Sequence, residues 1–139
     1  MLFLGEYYVS FSGQGRLVVP KKIREALGKT EEFMLSKGYD KCLAGYRLED
    51  WKRATTNLAG IPAMDNARVD LKRHLFSSAI RQEIDGQGRA VIPQSLLAYA
   101  DLKGKTAVII GVGDHFEIWE PTHWEKYLET VDEKINKSE

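Results

Sequence analysis

The chain has 139 residues, 43% of them hydrophobic and 29% charged, a balance that argues against disorder and fits one compact domain or two very small ones sharing a core. Its 20 Lys+Arg and 20 Asp+Glu cancel, which counts against a uniformly basic nucleic-acid binder. No apolar stretch approaches the roughly 20 residues of a membrane span, residues 1–6 turn acidic without a basic segment and argue against a secretory leader, and the single Cys42 excludes an intramolecular disulfide framework and suits a reducing cytoplasm.

Along the chain, an extended stretch leads into Gly13-Gln14-Gly15, a turn where glycine supplies conformations that a Cβ would forbid. A short strand follows over 17–19, then Pro20 where the first turn of a helix tolerates a missing N–H, then a helix over 21–27 with Ile23, Ala26 and Leu27 on one face. Strands are predicted over 32–36 and 41–47 around a Gly38-Tyr39-Asp40 hairpin signal, and a helix over 48–58. Gly60 and Pro62 break that helix, and a connecting helix is predicted over 65–76. The pattern then starts again: a Gly86-Gln87-Gly88 turn, a strand over 90–92, Pro93, a helix over 94–99, strands over 106–111 and 115–120, and a closing helix over 121–135.

Residues 13–20 and 86–93 agree at six of eight positions, at an offset of 73. The same offset sets Phe3 on Phe76, Gly38 on Gly111, Tyr46 on Trp119 and Trp51 on Trp124. This implies an ungapped duplication, with units at 3–58 and 76–131, a linker and connecting helix at 59–75, and an acidic tail at 132–139. Each unit of about 55 residues would be marginal alone, so the halves are expected to pack as a pseudo-twofold pair.

Charge is uneven along this frame. Residues 10–29 carry Arg16, Lys21, Lys22, Arg24 and Lys29 against Glu25 alone, whereas residues 114–139 carry eight acidic side chains against three lysines. Arg16 and Arg89 sit at equivalent places behind their turns, and an arginine fork can grip phosphate or the O6/N7 edge of guanine. Lys21, Lys22 and Arg24 could neutralise neighbouring phosphates, or simply form a solvated helix face. Equally, Arg16 and Arg89 could be structural, pinned by a carboxylate such as Asp85; the residues alone leave both readings open. His74, His115 and His123 lack metal-ligand spacing, the glycine turns lack a dinucleotide fingerprint, and no nucleophile–base set presents itself, so no metal, cofactor, small-molecule ligand or enzymatic activity is expected. Trp51, Trp119 and Trp124 are read as packing.

Residues 3–7, the paired Gly-x-Gly-Arg-x-x-x-Pro turns, and residues 110–119 resemble the MraZ family in order and spacing, over essentially residues 3–128. The resemblance implies a mainly β fold with short helices (α+β), built from two AbrB/MazE-type units that form a pseudo-twofold swapped-hairpin barrel. It also implies a cytoplasmic, nucleoid-associated transcriptional regulator. Such a protein assembles into ring-like homo-oligomers and binds short direct repeats in double-stranded DNA upstream of its own operon, the division and cell-wall gene cluster, usually repressing it. An antitoxin-like module using the barrel to hold a partner protein is the alternative. The binding motif carried over is Asp-x-x-x-Arg, matched by Asp85 and Arg89. The first copy departs from it, with Ser12 where the aspartate is usual and Gln14 where lysine is common. DNA contacts are thus expected at Arg16, Arg89, Gln14, Gln87, Lys21, Lys22 and Arg24, with Asp85, Ser12, Gly15 and Gly88 orienting the turns. Without a carboxylate beside it, Arg16 is expected to be left free.

Overall fold

A computed structural model of the chain describes residues 1–62, 64 and 66–137. The elements are β1 (Glu6–Ser10), β2 (Arg16–Val18), α1 (Lys21–Leu27), β3 (Glu32–Lys37), β4 (Leu43–Tyr46), α2 (Leu48–Ala59), α3 (Asn66–Ser78), β5 (Ile80–Glu83), β6 (Arg89–Val91), α4 (Gln94–Tyr99), β7 (Thr106–Gly111), β8 (Phe116–Trp119) and α5 (Pro121–Lys137). The chain is thus mixed α and β, with mostly short strands and short helices. Predicted and observed boundaries differ by one or two residues. One shift matters: β2 and β6 begin at the arginines themselves, so Arg16 and Arg89 are strand residues. Of the connecting helix, Asp65 lies outside the described residues, and the described part runs on to Ser78.

Strand pairing crosses between the halves. β1 pairs with β7, β5 with β3, β4 with β8 and β2 with β6, all antiparallel. The result is a six-stranded sheet in the order β1-β7-β8-β4-β3-β5 and a separate β2-β6 ribbon. Both central pairings set repeat-equivalent residues opposite each other, Leu17 against Ala90 and Ala44 against Glu117, so the pseudo-twofold passes through both. An isolated bridge between Phe11 and Leu17 ties the ribbon to the end of β1, and no closed barrel is found among the described residues.

The register corrects the ungapped duplication. Tyr8 faces Val108 in β1–β7, whereas its equivalent Arg81 faces Met34 in β5–β3. An offset of 73 would have required Leu35, so β3 and β7 match at 74. The second copy therefore carries one extra residue before β7 and one fewer in the following hairpin, and Gly38, a hairpin residue, does not match Gly111, the last residue of β7. A one-residue slip flips every side chain to the other face, so the compensating change keeps Phe33 and Leu35 on the same core face as Ala107 and Ile109. Phe3 and Phe76 are not structural equivalents either. Phe3 is fully buried beside Phe116 in the main core, whereas Phe76 lies on α3 and packs edge-on against Trp51.

The main core lies between the sheet and the ribbon and takes in Leu17, Ile23, Phe33, Ile109, Leu96 and Phe116. A second cluster of Val108, Ile110, Trp119 and Trp124 lies on the sheet's other face under α5. β7 is covered on both sides, which explains its nearly continuous apolar run. No helix among the described residues is long and apolar enough to cross a membrane.

Candidate nucleic-acid interface

The ribbon's two faces differ because side chains alternate along a strand. Leu17 and Ala90 point into the core, each 1% exposed. Arg16, Val18, Arg89 and Val91 share the outer face, with Arg16 opposite Val91 and Val18 opposite Arg89. Each end of the ribbon therefore carries one arginine beside one valine.

The turns that feed the ribbon reach similar ends by different means. In both, the first residue's N–H donates to the arginine carbonyl, Ser12 to Arg16 at 2.7 Å and Asp85 to Arg89 at 2.8 Å. The ribbon closes symmetrically at 2.7–2.8 Å, with Ile92 N–H donating to the Gly15 carbonyl and Val19 N–H to the Gly88 carbonyl. The first turn bends at two left-handed glycines, Gly13 (φ 71°) and Gly15 (φ 69°). The second has only Gly88 (φ 79°) in that region. Asp85 there takes up the work of bending: its Oδ1 accepts the Gln87 N–H at 2.8 Å and the Arg89 N–H at 3.0 Å. These bonds, the Arg89 N–H first among them, together with the charges of Arg89 and Arg16, hold the Asp85 carboxyl below its ordinary value.

The two arginines have different fates. Arg89 Nη1 donates to Ser12 Oγ at 3.2 Å, across the pseudo-twofold, and Nη2 donates to Gln87 Oε1. Its buried Nε lies 3.5 Å from Asp85 Oδ2, an ion-pair distance without hydrogen-bond alignment. Arg16 is exposed, and its side chain makes no hydrogen bond or ion pair with a described residue. Ser12 serves the opposite copy's arginine, while Gln14 and Gln87 are both exposed.

Lys21 and Lys22 are exposed on α1, unpaired with any described residue. Arg24 is exposed on the same helix, with one of its nitrogens engaged. Its Nε donates to the Val19 carbonyl at 3.2 Å, and its guanidinium lies 3.1 Å from where a Gly88 Cβ would sit. The equivalent position in the second copy is Leu97, whose Cδ1 lies 3.2 Å from the corresponding point on Gly15. Arg24 thus stands where the other half uses an apolar cover. Val18 and Val91 lie in the strands predicted over 17–19 and 90–92, and the fold places both on this outer face. The signal that singles them out is a β-branched residue two places after each arginine, at the repeat offset.

Among the described residues no group of three His, Cys, Asp or Glu is placed to hold a metal ion. The MraZ family model, described as "MraZ protein, putative antitoxin-like", matches the chain twice, over residues 2–74 and 75–139. The chain is 42% identical to a transcriptional regulator MraZ of Acetivibrio thermocellus over 91% of this chain and 86% of that one. It is 38% identical to a Roseiflexus sp. protein of the same name over 94% and 90%. A Ligilactobacillus salivarius protein, again of that name, is 38% identical over 97% and 92%.

Proposed function

The chain belongs to the MraZ family, and from that premise we propose that it is a sequence-specific DNA-binding transcriptional regulator rather than an enzyme. The observation that carries the reading is the ribbon's outer face, where Arg16, its side chain bonded to no described residue, and a held Arg89 stand on one core-backed surface. A two-stranded ribbon fits the major groove, and an arginine there can meet guanine O6 and N7 bidentately. Gln14 and Gln87 flank the arginines. Lys21 and Lys22, on the helix leaving the ribbon, are placed to meet phosphates, which adds affinity without sequence preference. Arg24, exposed on the same helix with only its Nε engaged, is proposed to join them.

We take residues 3–58 and 76–131 as two AbrB-like units joined by 59–75 and followed by an acidic segment at 132–139, with the sheet and ribbon corresponding to the family's swapped-hairpin barrel. The regulator acts as a repressor on short direct repeats upstream of its own operon, the division and cell-wall gene cluster, within the cytoplasm and nucleoid. A ring-like homo-oligomer supplies the affinity a neutral chain lacks, because linked weak contacts raise effective concentration. A gel shift with the DNA upstream of the protein's own gene tests this. Retardation of that duplex at concentrations that leave a scrambled duplex unbound is expected, and equal retardation of both would refute sequence-specific recognition. Light scattering should report a species several times 15.8 kDa; a strict monomer at micromolar concentration would overturn the ring.

A further inference from the structure

Two apolar side chains on the ribbon's outer face are left partly exposed. Val18 is 38% exposed and Val91 50% exposed, on the only face of β2 and β6 that the core does not cover. A lone exposed valine needs no explanation. These two recur at equivalent places, each directly opposite an arginine. Two residues of strand span about 6.6 Å, close to two base steps at about 3.4 Å each. The two Arg–Val ends are therefore spaced to meet bases two steps apart in one groove. In the major groove the one apolar group on a base edge is the thymine 5-methyl, and small apolar side chains are what recognise it.

We propose that Val18 and Val91 are specificity-determining residues that pack against thymine methyl groups beside the bases met by Arg16 and Arg89. This rests on the DNA-binding reading above and adds a chemical class to it: the target must offer thymine methyls at positions fixed by the ribbon. Each arginine supplies a hydrogen-bonding contact, and the valine opposite it supplies an apolar one that excludes water from the same edge.

The test begins with the full-length protein and a pool of random-sequence duplexes, from which bound molecules are selected and sequenced. In the selected duplex each thymine is then replaced singly by deoxyuridine, which removes the methyl and leaves base pairing intact. At one or two positions this should weaken wild-type binding about fourfold, the effect of losing one buried methyl-sized group. Against Val18→Ala or Val91→Ala, whose unchanged melting temperature confirms the fold, the matching deoxyuridine should cost nothing further. If deoxyuridine weakens wild type and both variants alike, or weakens none of them, or if the selected sequence has no thymine, the valine proposal is overturned while the DNA reading stands. If the pool yields no selected sequence at all, the DNA reading falls and the proposal with it.

Discussion

The two turns are copies of one ancestor sequence, and they now hold their arginines in opposite ways. The second turn is bonded to itself: Asp85 accepts two backbone N–H groups, faces the Arg89 guanidinium and leaves Arg89 further bonded to Gln87 and Ser12. The first turn has no carboxylate, bends through a second left-handed glycine, Gly13, and leaves the Arg16 side chain without a hydrogen bond or ion pair to any described residue. A side-chain acceptor and a glycine are thus alternative solutions to the same backbone bend. Only the first kind also immobilises the arginine. Immobilisation reduces the entropy lost on binding, yet it occupies donors that a base would need. The second copy therefore presents an arginine with part of its fork already bonded, and the first presents one whose side chain bonds no described residue.

The largest effect should come from the glycines. At Gly15 an alanine would sit in a left-handed conformation with its Cβ 2.9 Å from the Ile92 carbonyl, a backbone atom that cannot yield without breaking the ribbon. Gly88→Ala meets the same backbone strain, but its nearest neighbour is the movable end of Arg24. Denaturant unfolding should show Gly15→Ala costing about 2–4 kcal/mol and Gly88→Ala about 1–2 kcal/mol. Equal costs would mean that the two turns share their surroundings after all.

Next come the arginines. Arg16→Ala should leave the melting temperature unchanged and cost about 1–3 kcal/mol in binding to cognate duplex, with lost discrimination against scrambled DNA. Arg89→Ala should lower both stability and binding, because Ser12, Gln87 and Asp85 lose their partner. Melting curves beside binding isotherms separate the two. An Arg16 variant that melts early yet keeps its DNA preference would show Arg16 to be the structural residue.

Much of this was legible in the chain. The turn motif, the prolines and the helix over 94–99 depend on local chemistry, and their recurrence fixed the element order twice. The connections between copies were not legible, because pairing β1 with β7 rather than β3 depends on contacts about 100 residues apart in a register that no local signal sets. The one-residue slip of β3 escaped for a related reason: the loss and gain cancel before Tyr46 and Trp119, so matching end points hid it. At the interface, Asp85 beside Arg89 was readable from spacing. That Ser12 would serve Arg89 was not, since it requires knowing that the ribbon brings the two turns together.

Converting one turn toward the other gives a smaller effect. Ser12→Asp adds a carboxylate where it can accept the Gln14 and Arg16 N–H groups, as Asp85 does in its own turn. The melting temperature should rise by a few degrees, roughly the equivalent of 1 kcal/mol. Arg16 should become paired, and cognate binding should weaken several-fold with the salt dependence nearly unchanged, because one donor set is diverted rather than a phosphate contact removed. Stronger binding in this variant would show that orientation, rather than freedom, limits Arg16.

The smallest effect is in acid, and its titrating carboxyl, Asp85, lies in the second turn. The folded Asp85 carboxyl lies below its ordinary 3.8, chiefly because the Arg89 N–H bonds the ionised form. A depressed folded value means that the unfolded chain takes up the proton first as the pH drops. The stabilisation from Asp85 is therefore fully present above 3.8 and is lost as the pH falls through the depressed folded value. Ser12 has no charge to lose over that window. Following backbone amide signals by NMR, Gln87 and Arg89 should shift and exchange faster as Asp85 is protonated, while Gln14 and Arg16 should stay still until the whole domain unfolds. In Asp85→Asn the second pair should lose its pH dependence and join the first. Matching acid shifts at Gln14 and Arg16 in the wild type would show that the turns are coupled through Ser12 and Arg89, so that the cross-copy bond carries the protonation of one turn into the other.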